Sequence, residues 1–289
     1  LSRTAQISWL ALVAITAIGC GLEREVELEL PSYVPQPAIE AYLVPGEPFR
    51  VLITRSAGFF DPLETQNQQF FENVLFDSAR VSIRIGDEEV IELPEGIYFD
   101  PLSGQLHNYG ADAAVPFNYL DSIFLDVEFP DGRVAQGATQ LLPPVGFDSI
   151  VVEYPEDLVD RDTLARIFSY ITDPDPATVN RFHRLLSYTP IDSSAEQDFV
   201  FSDEFSDQGS IPTGTSFEFA GGDTLYILNA HVDEDFERYL TSVQTAEQAN
   251  GNPFAQPSSL LGNLSGSANP IGIFTTYAHV VDTIYVPEF

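Results

Sequence analysis

The residues of this chain that could do chemistry are four histidines, 44 carboxylates and one cysteine. The histidines, His107, His183, His231 and His279, share no helical ligand spacing, and one cysteine cannot complete a zinc set with them. Each is expected to be a surface histidine or a hydrogen-bonded core one. Carboxylates cluster at Asp160-Arg161-Asp162, Asp173-Pro174-Asp175 and Asp233-Glu234-Asp235. Their oxygens could take calcium, yet none stands in the glycine-containing twelve-residue loop that makes such a site specific. In so acidic a chain these clusters arise from composition, so no cofactor is expected and calcium is the one metal left open. A glycosidase needs two acids across a cleft, and the sequence nominates no pair. Gly-x-Ser-x-Gly elbows, phosphate-cradling glycine loops and dinucleotide fingerprints are all missing. No catalytic residues are assigned, and the chain is not expected to be an enzyme.

The cysteine has a different context. Arg3 precedes an apolar run from Ile7 to Ile18, and Ala17-Ile18-Gly19 leads directly into Cys20. This is the layout of a signal peptide over residues 1–19. The run has about half of the roughly 20 apolar residues that a transmembrane helix needs. The site resembles the lipobox of bacterial lipoproteins, where the thiol takes a diacylglycerol and the new amino group an acyl chain such as palmitate. Two or more chains anchor a protein stably. The alternative is a buried structural cysteine, and a single cysteine leaves no disulfide within the chain. Residues 20–36 are expected to be a lipid-anchored tether or a first strand. Their acidic stretch, Gly21 to Leu30, resembles the signal that sends some Bacteroidota lipoproteins to the outer cell surface; it reads equally as an alternating strand.

A formal net charge of −32, with twelve basic residues that are all arginine, repels nucleic acid and anionic headgroups. Nucleic acid is excluded as a partner. At molar salt the screening length falls to about 3 Å and self-repulsion largely disappears. The absence of lysine and the excess of carboxylates fit a halophilic protein, or an ordinary acidic exoprotein that uses charge for solubility.

The fold class these residues imply is mostly β. Val81, Ile83 and Ile85 alternate with Arg80, Ser82 and Arg84 before a turn at Gly86-Asp87. Ile123, Leu125, Val127 and Phe129 share a face, and Pro130-Asp131-Gly132 turns the chain into Arg133-Val134-Ala135. With Ala38–Leu43 and Phe49–Arg55 flanking Pro45-Gly46, the spacing predicts an immunoglobulin-like β-sandwich over residues 37–142. Residues 58–73 read as a loop. Pro143-Pro144 is expected to be the boundary to a second β-rich domain, 143–289, with strands near Ile150–Val152, Leu164–Ile171, Asn180–Tyr188 and Thr224–Val232. That domain is predicted to carry one helix over 233–250, capped by Asp233 and ended by Asn250-Gly251, with Phe236, Tyr239, Leu240 and Val243 along one stripe. Asp-Ser and Asp-Thr before an apolar residue, as at Asp121, Asp148 and Asp282, resemble an O-glycosylation acceptor in Bacteroidota and are also natural strand starts.

Three stretches resemble the Bacteroidota lipoprotein family known as domain of unknown function 4249. They are Ile39 to Ser56 with Phe59-Phe60-Asp61-Pro62; Phe201-Ser202-Asp203-Glu204-Phe205; and Gly251-Asn252-Pro253-Phe254, Pro257, Asn263, Gly266, Gly272-Ile273-Phe274 and Tyr277. Ser267-Ala268-Asn269-Pro270 lengthens the last, glycine-rich turn. The resemblance implies an envelope lipoprotein often encoded beside TonB-dependent receptors, without an established activity. It makes Asn252, Pro253, Phe254, Asn263 and Phe274 a candidate ligand or partner loop; the alternative is a long connection pinned against the helix. The resulting expectation is a non-enzymatic outer-membrane or cell-surface lipoprotein, held in lipid through Cys20, that assists a TonB-dependent receptor in substrate capture. A structural, assembly or adhesive role without a small ligand is the alternative.

Overall fold

Period-two alternation in the first half builds two sheets around one core. The computed structural model describes residues 34–56, 74–86, 89–99, 105–156, 163–190, 195–204, 206, 209–249 and 259–288. Cys20 with the segment before it, the 58–73 loop, Asp160 to Asp162, Phe205 and Asn252 to Phe254 lie outside the described residues.

The strands are β1 (Pro37–Leu43), β2 (Pro48–Arg55), β3 (Arg80–Ile85), β4 (Glu89–Leu93), β5 (Glu95–Phe99), β6 (Leu106–Ala114), β7 (Ser122–Glu128) and β8 (Val134–Gln140). They form one sheet in the order β1-β2-β6-β5 and another in the order β4-β3-β7-β8. These are the A-B-E-D and C′-C-F-G orders of an immunoglobulin-like sandwich. Ile39, Ala41, Phe49, Val51 and Ile53 from one sheet meet Val81, Ile83, Ile123, Leu125 and Val127 from the other in a single core. Each of these side chains except Ala41 contributes about 1.5–3 kcal/mol when fully buried. Gly132, at φ +82°, makes the turn after β7 that its sequence announces.

Beyond Pro143-Pro144 the chain builds a second sandwich in the same order. Its strands are β9 (Ser149–Glu153), β10 (Arg166–Thr172), β11 (Arg181–Ser187), β12 (Gln197–Ser202), β13 (Ser210–Gly214), β14 (Thr224–Val232) and β16 (Ala278–Tyr285). A β9-β10-β13 sheet faces a β12-β11-β14-β16 sheet, corresponding to A-B-E and C′-C-F-G. Ile167, Leu186, Leu225, Ile227 and Ile284 are buried between them. The linker is fastened to this sandwich, because Asn229 Nδ2 donates to the Val145 carbonyl at 2.9 Å and His231 Nδ1 bonds the Pro143 carbonyl at 2.9 Å.

The connection from β14 to β16 is far longer than an F–G hairpin. It holds the helix α1 (Glu234–Ala249), whose Phe236 N–H donates to Asp233 Oδ1 at 2.8 Å, the N-cap read from the sequence. It then holds β15 (Ile271–Thr276), which leaves the second sandwich and pairs in parallel with β1, from Ala38↔Ile271 to Leu43↔Thr276. Just before β15, Ser265 and Gln136 exchange backbone hydrogen bonds at 2.8 Å, and Ala268 N–H donates to the Val134 carbonyl. One strap therefore lies on both β1 and β8, the two edge strands on one side of the first sandwich. Ala268 and Phe274 join the first core. The first sandwich is thus not confined to residues 37–142; its sheet is completed from the segment assigned by sequence to the second domain. Pro35–Phe289 accordingly form one compact unit.

Gly272 is a tight point of the strap, against β1. It sits at φ +112°, and a Cβ there would come within 2.0 Å of the Ile39 carbonyl oxygen. Gly272→Ala is expected to lower stability by at least about 2 kcal/mol, combining left-handed strain with a broken β1–β15 pairing. Gly132→Ala, at φ +82° with nothing within 4 Å of its Cβ, should cost only about 1 kcal/mol. Urea midpoints of the two variants measure the difference.

Candidate functional site

Polar and aromatic side chains concentrate where β1, β11, α1 and the start of β16 meet. Tyr42 of β1 packs edge-on against Phe236 of α1 and against Tyr277, with ring centroids 6.3 and 6.4 Å apart. His183 of β11 lies 5.1 Å from Phe236 by ring centroid. The two imidazole nitrogens are both engaged: Nδ1 with the Tyr277 hydroxyl at 2.6 Å and Nε2 with Asp198 Oδ1 at 2.8 Å. Tyr239 of α1 reaches Glu40 of β1 at 3.3 Å.

Carboxylate, imidazole and hydroxyl in line is the order of a base-activated nucleophile. Here the burial argues against that use. Desolvation, then the charge of Asp198 and the neighbouring Tyr42, push the Tyr277 phenol well above its usual range, so the anion that attack requires is disfavoured. Tyr42 and Tyr239 are raised the same way, first by burial and then by Glu40. The cluster is a satisfied polar joint inside an aromatic contact. It fastens a strand of the first sandwich, the helix and a strand of the second.

Of the loop residues nominated by sequence, the structure brings Asn263 and Phe274 together. Asn263 Nδ2 donates to the Ala138 carbonyl at 2.9 Å and the Phe274 carbonyl at 2.7 Å, and its Oδ1 accepts from the Phe274 N–H at 3.0 Å. The Phe274 side chain is fully buried in the first core. Asn263 thus bridges β8 to β15 and Phe274 plugs the sandwich, so both residues hold the strap. Asn252, Pro253 and Phe254 lie outside the described residues.

Two of the three acidic clusters lie among the described residues, and their carboxylates are engaged. Asn180 Nδ2 donates to Asp203 Oδ2 at 2.7 Å and shares its second hydrogen among Asp173 Oδ1 and the carbonyls of Asp175 and Thr178 at 3.1–3.2 Å, an amide at the centre of a ring of oxygens. Asp233 caps α1 and accepts from Thr139 Oγ1 at 2.9 Å. Burial raises its carboxyl above the ordinary range, partly offset by those hydrogen bonds. Among the described residues no group of three or more His, Cys, Asp or Glu side chains is placed to hold a metal. A depression beside Arg80, Asp126, Glu128 and Gln136 holds about 210 Å³, below the ~300 Å³ at which small-molecule sites begin.

One surface feature of the described residues is an edge. The chain crosses from β4 to β5 at Pro94, so one continuous ribbon forms the edge of both sheets on the side opposite the strap. Val90, Ile97 and Phe99 on it are 59%, 76% and 63% exposed. The sequence shows the apolar residues but not their exposure, because pairing by sheet order, not local alternation, decides which strand is outermost. The Tyr277–His183 contact is equally hidden, since 94 positions separate its partners. Compared with family models and with curated proteins, the chain matches none.

Two variants test the role of these buried polar groups. Tyr277→Phe leaves His183 Nδ1 without its partner and should cost about 1–3 kcal/mol in a denaturant titration. His231, stacked on Phe182, is depressed below 6.5 by burial, with its Pro143 hydrogen bond opposing. The unfolded chain then binds the proton more readily, so the His231 contribution is complete above about pH 6.5 and is lost as pH falls through the folded value. Between about pH 7.5 and pH 5 at fixed salt, wild type should lose more stability than His231→Gln.

Proposed function

We propose that the chain is a non-enzymatic lipoprotein of the outer membrane, held in lipid through Cys20 at the outer cell surface, and that it assists a TonB-dependent receptor through protein–protein contact. The envelope setting rests on the lipobox-like approach to Cys20 and on the resemblance to domain of unknown function 4249. No helix among the described residues is long and apolar enough to cross a membrane, and lipid attachment would supply the anchor.

The observation that carries the contact reading is the asymmetry between the two sides of the first sandwich. On one side the strap pairs with both edge strands. On the other the β4–β5 ribbon presents Val90, Ile97 and Phe99 to solvent at 59–76% exposure. Soluble proteins protect sheet edges with charge, proline, bulges or covering segments; this ribbon has Glu92, Pro94, Glu95 and a register shift after Glu95, and still exposes the three apolar groups. Large apolar groups on an edge mark a surface that another protein covers. Asn263 and Phe274, which would have lined a ligand loop, are engaged in the strap. Docking rather than small-molecule capture is therefore the mode we assign. A structural or adhesive lipoprotein would use the same edge with a different partner.

Crosslinking of native membranes at the organism's own salinity, followed by capture of the protein and mass spectrometry, separates these roles. Recovery of one TonB-dependent receptor in fixed proportion is expected. Ile97→Asp with Phe99→Asp should abolish that recovery while changing stability by no more than about 0.5 kcal/mol, as for exposed sites. Undiminished recovery by the double variant would refute the docking edge. Absence of any such receptor with wild type would refute the accessory role and leave the structural or adhesive one.

A further inference from the structure

The core of the second sandwich is interrupted by a polar layer. On the four-stranded sheet Arg184 of β11 stands in register with Asn229 of β14. Its neighbours on the same face, Phe182 and Leu186, belong to two separate apolar clusters, so Arg184 lies between them. From the opposite sheet come Ser169 and Thr213, register partners whose hydroxyls are 2.7 Å apart.

Arg184 is 0% exposed and is the largest fully buried side chain of the described residues. Its Nη1 donates to Thr213 Oγ1. Its Nε and Nη2 have no hydrogen-bond partner, and among the described residues no carboxylate lies within ion-pair distance, although the chain carries 44 of them. Nε–H and Nη2–H form the edge of the guanidinium that points two parallel donors at one acceptor group. Burial pulls the group down to about 10, so it remains a cation at neutral pH.

We propose that this layer is a binding site for a small monovalent anion, chloride, held by Arg184 Nε and Nη2 with the Ser169 hydroxyl as a third donor. Thr213 Oγ1 accepts from Arg184, which leaves its own hydrogen for Ser169 Oγ and frees the Ser169 hydrogen to face the anion. A cation in a dry core demands a counter-charge, and no side chain of the described residues supplies one. A water bridging Arg184 to Asn229 Oδ1, an acceptor also without a partner, would satisfy hydrogen bonds but not the charge. Chloride does so without adding a second negative charge, as sulfate would.

The test uses two independent readouts. In crystals grown in sodium bromide, an anomalous peak is expected within hydrogen-bonding reach of Arg184 Nε and Nη2. In solution, the melting temperature of wild type should be higher in sodium chloride than in sodium gluconate at equal sodium concentration, by roughly 5 °C once the site is saturated. Arg184→Met, of similar volume and uncharged, should abolish that anion-specific difference while keeping any general salt effect. A bromide-free density feature bridging Arg184 and Asn229 would identify water and overturn the proposal. So would an anion-specific shift that survives in Arg184→Met, or no shift in wild type.

Discussion

Six parallel pairings between Ala38–Leu43 and Ile271–Thr276 hold this fold together as one body. Parallel ladders are slightly weaker per residue than antiparallel ones, so the strap gains its hold from what accompanies the pairing. Phe274 enters the first core, Asn263 bonds backbone on both flanks, and Thr276 Oγ1 donates to the Gln140 carbonyl at 2.8 Å. These contacts span both sheets of the first sandwich, so the strap joins them as a clasp. The helix then lies where its Phe236 can meet Tyr42 and His183 together. Without the β1–β15 pairing the polar joint would lose one of its three sides.

The charge pattern acts on the same frame. Forty-four carboxylates face twelve arginines, so acidic groups outnumber basic partners by more than three to one. Several arginines do two tasks. Arg50 lies 4.5 Å over Tyr98, Arg55 4.2 Å over Phe76, Arg84 4.1 Å over Phe124, and Arg166 4.6 Å over Phe168. A planar, weakly hydrated guanidinium can stack on a ring and bond carboxylates at its rim, which an ammonium does less well. Arg166 shows both, with Nη2 at 2.9 Å from Glu153 Oε2. The exclusive use of arginine has a physical reason in this packing, whatever the salinity outside.

Local pattern makes much of the fold legible. The alternation at Val81–Ile85 and Ile123–Phe129, the Gly132 turn and the Asp233 cap each depend on neighbours within a few residues, and each appears where the sequence places it. Thr224–Val232 is a strand over its whole expected span. The second sandwich is less legible. Its strands can be found singly, but their A-B-E and C′-C-F-G order is a property of pairing across the sheet. The strap is hidden for the same reason. Ile271–Thr276 reads as one more apolar strand, and nothing local says that its partner is β1. Asn263 and Phe274 resemble loop residues with recognition chemistry because asparagine and phenylalanine serve both binding and sealing, and only their partners distinguish the two. Arg184 reads as an ordinary strand residue, since alternation predicts which face it takes but not that the face is closed.

The strap also fixes an order of events. A chain made from its N-terminus has completed β1 to β8 by Gln140, long before Ile271–Thr276 exists to cover them. During that interval the first sandwich has its core strands but lacks Phe274, and both β1 and β8 carry unpaired backbone. Such long-range closure slows folding and leaves strand edges open to wrong partners. The C-terminal part of the polypeptide must reach back to shut the sheet that was made first.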